Sequence, residues 1–402
     1  MDPGALLLQL FTPAARANPY PIYAQLREAA PVFATPMGGW MVTRYEQVDR
    51  VLRSPAFRTP RGYREPGDPA GPPLYDPDGV ATLHRRHWLL FTSGDAHARL
   101  RKLIMKVFTP RAVRAMTSRI EALVATLLAP ARERGAMEVV SELAYPLPAT
   151  VICELLGIPE SDRELNRAWA AIVATTIDPM VTEAQRKASE VAMAEWDPYI
   201  RALLADKRKR PGTALLDDLL AVEEGGEKLT EDEIAANATF LFLAGHETTT
   251  GLIGNGLAAL LRFPDQLAKL RSEPGLIENA VEELLRFDSP VQFGPRVAIE
   301  PIEIEGVRIE KELPLMIALG SANHDPRRFE RPDELDLARP DPKPLSFGGG
   351  PHYCVGAALA RLEAQVAFRE LARFASIEAT SEPVWRSGLA LRGVSELEVR
   401  LA

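Results

Sequence analysis

The chain has 402 residues, of which 46% are hydrophobic and 25% are charged, and its formal net charge is −8. This composition is ordinary for a globular protein with a large core, and the negative charge argues against nucleic acid as a bulk partner. The two cysteines exclude a disulfide framework and fit a reduced cytoplasm.

No Gly/Ser linker, charge block or internal repeat divides the sequence, so we expect a single domain over residues 1–402. The apolar run near the N-terminus, residues 6–11, is far shorter than the roughly 20 residues that a membrane-spanning helix needs. We therefore expect a cytoplasmic protein without a membrane anchor, and we expect it to be a monomer.

Apolar residues recur at helical spacing along most of the chain. The pattern predicts helices over residues 21–29, 46–53, 98–107, 112–133, 139–155, 183–207 and 231–262. Strand patterns are short and few, over residues 32–34, 39–42, 297–309, 315–319 and 389–401. The sequence therefore predicts a mainly α fold with a minor β region.

Two segments have simple interpretations. Residues 59–79 hold six prolines and four glycines, which predicts a long surface loop. Loops of that length are uncommon unless they cover something. Cys153 lies in the apolar segment 148–157, where a buried structural thiol is the expected role.

His97 and Arg101 lie one helical turn apart, so both side chains can contact the same anion. Taken alone, each residue is more often an ordinary surface charge. Further basic residues surround them, namely Arg99, Lys102, Lys106, Arg111 and Arg114. This part of an acidic chain is therefore strongly basic, and a solvated helix face explains it as well as a binding surface does.

The helix predicted over residues 231–262 is the most informative one. Thr230 and Glu233 form a capping-box pattern, and Pro264 ends the helix, which would be about 48 Å long at 1.5 Å per residue. Its middle, residues 244–251, combines glycines with three consecutive threonines and is poor helix material. We expect a local break there, as is common at functional sites. A tolerated kink with a solvated Glu247 is the alternative.

Glu283 and Arg286 are spaced i, i+3, so their side chains can pair on one helical face. A pair of this kind is usually solvated and contributes little to stability. The importance of this pair for the protein depends on where the fold places the two side chains.

Cys354 follows a glycine-rich segment and precedes an apolar helix that begins at Ala357. A helix N-terminus stabilises anions, so the pKa of this thiol should be low and the thiolate could ligate a metal. The alternative is that Cys354 is a small buried apolar residue.

The spacing Phe-Gly-x-Gly-x-His-x-Cys-x-Gly has every fixed position filled, by Phe347, Gly348, Gly350, His352, Cys354 and Gly356. This loop resembles the haem-ligand loop of the cytochrome P450 family, in which a cysteine thiolate is the axial haem ligand. The resemblance extends from residues 18–27 to the cysteine helix. It implies the cytochrome P450 fold, a triangular-prism domain with a long central helix, and haem b as the cofactor, with Cys354 as the iron ligand.

The resemblance also assigns further residues to the haem site. It implies that His97, Arg101, Arg296 and His352 bind the haem propionates. It adds cofactor contacts from residues of the long helix and of the cysteine loop, namely Ala244, Gly245, Phe347, Gly348 and Gly356. The Glu283–Arg286 pair would be buried and joined by Arg339, holding the scaffold without taking part in the chemistry.

The implied function is that of a haem-thiolate monooxygenase, an oxidoreductase that inserts one oxygen atom from dioxygen into an organic substrate. Glu247 would relay protons and Thr248 would donate a hydrogen bond to dioxygen. One alternative is a peroxide-driven peroxygenase, which would not need this acid–alcohol pair. Another is a non-catalytic haem-binding protein, for which the pair would have no use.

The resemblance to soluble bacterial members implies electrons from NAD(P)H through a ferredoxin reductase and a ferredoxin. The basic residues around Arg101 would suit docking of an acidic carrier. The substrate would be a hydrophobic small molecule such as a fatty acid, terpenoid, steroid or polyketide, as in secondary metabolism. Substrate contacts would come from mixed apolar and proline-rich regions, namely residues 59–92, 169–193, 291–295 and 388–391.

Overall fold

A computed structural model describes residues 2–61, 79–178, 181–224 and 226–402. Most of the predicted surface loop, residues 62–78, lies outside the described residues. Among the described residues, no helix is long and apolar enough to cross a membrane.

Helices dominate the structure, as the apolar periodicity predicts. In chain order they are α1 Pro3–Gln9, α2 Pro13–Ala17, α3 Tyr20–Ala29, α4 Tyr45–Arg53, α5 Val80–His87, α6 Gly94–Val107, α7 Pro110–Ala115, α8 Thr117–Arg134, α9 Pro146–Leu156, α10 Arg163–Ala174, α11 Glu183–Lys209, α12 Leu215–Ala221, α13 Glu231–Arg262, α14 Pro264–Ser272, α15 Ile277–Phe287, α16 Leu319–Ala322 and α17 Ala357–Leu371. A π-helix, Val140–Ala144, lies before α9. Short 3₁₀ turns cover Glu160–Asp162, Thr175–Ile177, Pro274–Leu276 and Gly350–His352.

The strands are short. They are β1 Val32–Ala34, β2 Trp40–Val42, β3 Phe57–Arg58, β4 Ala136–Glu138, β5 Glu223–Glu224, β6 Glu227–Lys228, β7 Phe293–Ala298, β8 Ile302–Ile304, β9 Val307–Ile309, β10 Pro314–Ala318, β11 Ile377–Ala379, β12 Val384–Trp385, β13 Val394–Glu396 and β14 Glu398–Leu401. The largest sheet has the order β1-β2-β10-β7-β3, with β10 parallel to β2 and antiparallel to β7. In this register Leu315 lies between Trp40 and Arg296.

The chain forms two compact units. The first comprises Met1–Phe57, Met116–Pro148 and Glu247–Ala402, and the second comprises Arg58–Ala115 and Ala149–His246. In the first unit, buried residues of the large sheet and α4 form one apolar cluster, which includes Val32, Val42, Val48, Leu315 and Ile317. A second cluster in the same unit joins α1 and α3 to Met41 and Phe293. The single domain over residues 1–402 stays a prediction.

The element predictions are accurate where local signals are strong. The long helix begins and ends where the sequence places it, and its capping box forms: Glu233 N donates to Thr230 Oγ1 at 3.2 Å, and Thr230 N donates to a Glu233 carboxylate oxygen at 2.9 Å. The helix predicted over residues 112–133 is interrupted between α7 and α8, and the one predicted over 139–155 is divided into the π-helix and α9. The 297–309 and 389–401 regions each contain several short strands.

The predicted break in the long helix is wrong. α13 is α-helical from Glu231 to Arg262, including residues 244–251. The propensity cost of a glycine is only about 1 kcal/mol and that of a threonine less, and tertiary packing routinely overrides such costs in a buried helix.

Candidate haem site

The cysteine loop has a backbone shape that favours glycine. Gly348 and Gly350 have φ of 70° and 63°, in the left-handed region. A Cβ on Gly350 would lie 2.4 Å from the carbonyl oxygen of Leu52, so a side chain could not fit there. The loop is closed by a hydrogen bond from the backbone N of Cys354 to the carbonyl oxygen of Phe347, at 3.0 Å. Residues 347–354 therefore form a tight, fixed turn.

This turn presents the thiol at the surface of the first unit. Cys354 is exposed, and α17 begins three residues later with Gly356 as its N-cap residue. A Cβ on Gly356 would lie 3.9 Å from the Cys354 sulfur, so glycine leaves space beside it. The structure thus excludes the interpretation of Cys354 as a small buried residue, and the thiol is accessible to a metal. His352, at the end of the 3₁₀ turn, is half-buried.

Two side chains brace the loop from α17 and α15. The Arg361 guanidinium lies 4.5 Å from the centre of the Phe347 ring. It also donates to both carboxylate oxygens of Glu282, at 2.5 and 3.1 Å, and to the Tyr353 hydroxyl at 3.0 Å. A cation held over an aromatic face contributes about 0.5–2 kcal/mol, so Arg361 helps to fix the loop.

Arg296 is a buried cation on β7. Its side chain is 8% exposed, and its Nη1 donates to the carbonyl oxygen of Pro295 at 2.8 Å. No carboxylate among the described residues pairs with it. Burial lowers the pKa of Arg296 to about 10. Because a buried charge without a counter-charge is costly, this side chain fits an anionic group supplied by a ligand, such as a haem propionate.

His97 and Arg101 lie on α6, in the second unit. His97 is buried and Arg101 is half-buried. Burial, together with the nearby Arg101 cation, lowers the pKa of His97 to about 4. His97 is therefore neutral at physiological pH, and an added carboxylate would relieve the charge that Arg101 imposes. The propionate contacts of these two residues stay a prediction.

The predicted acid and alcohol follow each other on α13. Glu247 and Thr248 belong to the first unit, and Glu247 forms an ion pair with Arg386, next to β12. The Glu247 side chain is largely buried, so the interpretation of a solvated carboxylate is wrong. Arg386 was missed by sequence reasoning because it lies 139 residues away and no local pattern links the two.

Ala244 and Gly245 precede this pair on α13, in the second unit. A Cβ on Gly245 would lie 3.1 Å from Ile152 Cδ1, so the glycine allows α13 to approach α9 closely. Cys153, on α9, is buried, and burial raises the pKa of its thiol to about 12. The prediction that this thiol is structural agrees with both observations.

The predicted scaffold cluster is present in full. Arg286 donates to both carboxylate oxygens of Glu283, at 2.7 and 2.8 Å, and Arg339 Nε donates to the same carboxylate at 3.0 Å. All three side chains are buried. Glu283 and Arg286 thus do not form a solvated surface pair. The other guanidinium N–H groups of Arg286 and Arg339 donate to backbone carbonyls of residues 323–334.

The chain is similar in sequence and structure to known proteins. The family model described as cytochrome P450 matches residues 73–375. Cytochrome P450 107B1 of Saccharopolyspora erythraea is 40% identical over 393 residues, covering 94% of each chain. The 6-deoxyerythronolide B hydroxylase of the same organism is 37% identical over 396 residues, covering 95% of this chain and 96% of the hydroxylase.

A solved structure is similar along nearly the whole length. P450BioI, in complex with an acyl carrier protein ligated to hexadec-9Z-enoic acid, superimposes with a TM-score of 0.92 at 35% identity, covering 97% of this chain and 99% of that one. The predicted mainly helical fold and monooxygenase class are confirmed, and the family implies haem iron as the cofactor. On these matches and on its cysteine loop, the chain belongs to the cytochrome P450 family.

Proposed function

We propose that this protein is a ferredoxin-dependent monooxygenase that hydroxylates or epoxidises a hydrophobic small molecule. The observation that carries the proposal is the exposed thiol of Cys354 on a rigid glycine loop, in a chain that also holds the uncompensated cation Arg296. Haem, when bound through this thiolate, supplies the activation of dioxygen. The protein contributes the positioning of haem and substrate and the supply of protons.

In this proposal Cys354 ligates the iron, and His97, Arg101, Arg296 and His352 bind the propionates. The neutral state of His97 and the buried charge of Arg296 support that assignment. Further contacts to the macrocycle come from Ala244, Gly245, Phe347, Gly348 and Gly356.

Glu247 holds and delivers protons, and the Thr248 hydroxyl donates a hydrogen bond to dioxygen. A positioned acid contributes typically about 10²–10⁴-fold to the rate of a proton-dependent step. The largely buried setting of Glu247 supports this role, because burial keeps a carboxylate from exchanging freely with bulk water. A peroxygenase would need neither residue.

A hydrophobic substrate is supported by an aromatic cluster in the second unit. Trp88 lies 5.8 Å from Phe91 and 5.4 Å from Phe240, measured between ring centroids, and the two phenylalanines are partly exposed. Such a surface suits an apolar ligand. One relative is named 6-deoxyerythronolide B hydroxylase, and P450BioI is in complex with an acyl carrier protein ligated to hexadec-9Z-enoic acid. We propose a fatty acid, terpenoid, steroid or polyketide as the substrate class, with polyketides and acyl chains the first to test.

Electrons would enter from an acidic ferredoxin. Lys106 and Arg111 line an open groove of about 550 Å³ with apolar walls that include Val107, Ala112 and Val222. A basic, partly apolar surface of this kind suits docking of an acidic partner. Arg99 contributes less than its sequence position implies, because it pairs with Glu233. NAD(P)H and a ferredoxin reductase would supply electrons to the ferredoxin. We expect this electron transfer to take place in the cytoplasm, with the enzyme as a monomer.

Spectroscopy and turnover together test the proposal. The reduced, carbon monoxide-bound holoenzyme should show the strongly red-shifted band of a thiolate-ligated haem, and Cys354→Ala should lose it. Turnover of an identified substrate should require ferredoxin and NAD(P)H, and peroxide alone should replace them poorly. Thr248→Ala should keep the band but release peroxide in place of product. Unchanged coupling in Thr248→Ala would contradict the role of the hydroxyl, and efficient peroxide-driven turnover would favour a peroxygenase.

A further inference from the structure

Arg386 links Glu247 to the C-terminal hairpin of the first unit. Its guanidinium donates to a carboxylate oxygen of Glu247, and it is less buried than its partner. Its backbone is held by a hydrogen bond from its own N to the carbonyl oxygen of Gly393, at 2.9 Å. The guanidinium is therefore anchored at the end of β12 and reaches inward to α13.

The same arginine lines a small cavity. The cavity has a volume of about 20 Å³, and its walls include Tyr23, Gln292, Gly388 and Arg392 as well as Arg386. Tyr23 and Gln292 are buried at its inner end, whereas Gly388 is exposed at its rim. The cavity thus runs from the interior of the first unit toward solvent.

Two polar atoms at the inner end have no partner among the residues that the structure describes. They are the Tyr23 hydroxyl and Gln292 Oε1, on side chains that are only 1% and 2% exposed. A buried polar atom without a partner costs about 1–3 kcal/mol. A cavity of more than about 10–15 Å³ with two or more polar atoms can hold an ordered water, which would satisfy them.

A second arginine that lines the cavity, Arg392, is buried and already has a carboxylate partner. Arg392 donates to both carboxylate oxygens of Asp288, at 2.6 and 3.2 Å, and its guanidinium lies 3.8 Å from the centre of the Trp385 ring. These contacts of its guanidinium do not involve α13. Arg386 is the arginine that joins the cavity to Glu247.

We propose that Arg386 is a positioning residue of the reaction, which holds Glu247 beside a hydrated cavity so that solvent protons reach the carboxylate through ordered water on Tyr23 and Gln292. The inference rests on the proposed function, in which Glu247 supplies protons. A cavity water gives one proton to the Glu247 carboxylate and regains one from bulk water. A guanidinium keeps its proton in proteins, so Arg386 orients the carboxylate and the water without carrying the proton.

The first test compares variants at this one position in the holoenzyme. Arg386→Gln should lower the product formed per NAD(P)H several-fold and increase the solvent deuterium isotope effect on product formation. Arg386→Lys keeps a positive charge, so its product yield per NAD(P)H and its solvent isotope effect should lie between those of Arg386→Gln and the native enzyme. Arg400→Gln removes an exposed arginine of the same unit, which pairs with Glu378, and should change neither. An unchanged absorbance band of the carbon monoxide complex and an unchanged rate of reduction of the ferric haem would show that the haem site is intact.

The second test measures the cavity without turnover. If a water bridges the cavity, Tyr23→Phe removes a hydrogen bond and should lower the Tm of the holoenzyme. If the cavity is dry, the same change removes an unsatisfied hydroxyl and should raise the Tm. Tyr20→Phe is the matched control for a lost hydrogen bond, because the Tyr20 hydroxyl donates to Asp288 at 2.8 Å. A crystal structure of the holoenzyme should show water on the Tyr23 hydroxyl.

The outcomes separate this inference from the proposed function. If Thr248→Ala and Glu247→Gln lose coupling but Arg386→Gln couples like the native enzyme, only the route through Arg386 is wrong. If Glu247→Gln also keeps full coupling, the proton role of Glu247 fails and the inference falls with it. A dry cavity together with a raised Tm in Tyr23→Phe overturns the water path whatever the coupling shows.

Discussion

Two buried arginines of the first unit, Arg286 and Arg296, lie close in sequence and have opposite surroundings. Arg286 is fully buried with both oxygens of Glu283 bonded, and its other donors reach backbone carbonyls. Arg296 is nearly as buried but has only one carbonyl partner and no acid among the described residues. The fold itself satisfies the first charge, and no carboxylate among the described residues satisfies the second.

This difference distinguishes scaffold from site. A buried charge that the chain neutralises resists change, because removing either partner strands the other. A buried charge that the chain leaves uncompensated destabilises the ligand-free protein, and a bound anion offsets that free-energy cost. Haem propionates are anions of the required kind, which is why we propose that Arg296 contacts the cofactor and that Arg286 belongs to the framework.

Glu283 is the position where a substitution should cost the most stability. Glu283→Gln would turn Arg286 and Arg339 into uncompensated cations, and breaking a buried pair typically costs about 3–5 kcal/mol. The midpoint of urea unfolding should fall accordingly. The adjacent Glu282→Gln is the control, because its partner Arg361 is partly exposed and such pairs contribute at most about 1 kcal/mol. Equal losses in the two variants would show that burial does not separate them.

A substitution at Arg296 should have opposite effects on the haem-free protein and on the holoenzyme. In the haem-free protein, Arg296→Met removes a costly charge, so the free energy of unfolding should stay constant or rise by up to about 4 kcal/mol. In the holoenzyme, the loss of a charged hydrogen bond worth about 1.5–3 kcal/mol should speed haem loss by roughly 10- to 100-fold. Transfer of haem to apomyoglobin measures the rate.

Arg400→Met, on the exposed face, is the control and should change neither quantity. If Arg296→Met destabilises the haem-free protein as strongly as Glu283→Gln does, the guanidinium belongs to the scaffold and not to the cofactor site.

Sequence reasoning was strongest where the signal is local. The ends of α13 follow from Thr230, Glu233 and Pro264, since caps and prolines act within a few residues. The Glu283–Arg286 pair follows from its i, i+3 spacing. The tight turn of the cysteine loop follows from its glycines, which take backbone angles that other residues rarely adopt, whereas its role in binding haem was inferred from the family resemblance.

The remaining features depend on tertiary contacts. The pairing of Glu247 with Arg386 joins segments 139 residues apart, and no periodicity encodes it. The burial of Arg296 is invisible in a strand pattern of six residues. Helix α5 was missed because its sequence is dominated by basic and histidine residues with little apolar periodicity. The break predicted in α13 shows the converse error, in which weak local preferences were weighted above packing.

His97 extends the comparison to pH. Its pKa is lowered from 6.5 to about 4 in the folded chain, first by burial and then by Arg101. Between those two values the unfolded chain binds a proton that the folded chain does not, so the stability of the haem-free protein should rise with pH across this range. His97→Gln should flatten that dependence, and haem should reduce it by supplying a carboxylate near Arg101.

Urea unfolding at pH 5 and pH 7 measures the effect in each variant. Arg400→Gln is the control, since it removes an exposed side chain that pairs with Glu378 and should leave the dependence unchanged. If the difference between the two pH values persists in His97→Gln, other groups control acid stability.

The smallest expected effect concerns the two thiols, which repeat the contrast between scaffold and site. Cys153 is buried with its pKa raised to about 12, whereas Cys354 is exposed. Because only a thiolate reacts rapidly with iodoacetamide, brief labelling of the haem-free protein at neutral pH should modify Cys354 alone, and haem should protect it. Cys153→Ala should leave the labelling unchanged, whereas Cys354→Ala should abolish it. Rapid labelling of Cys153 would mean that α9 opens readily and that its thiol is not part of a stable core.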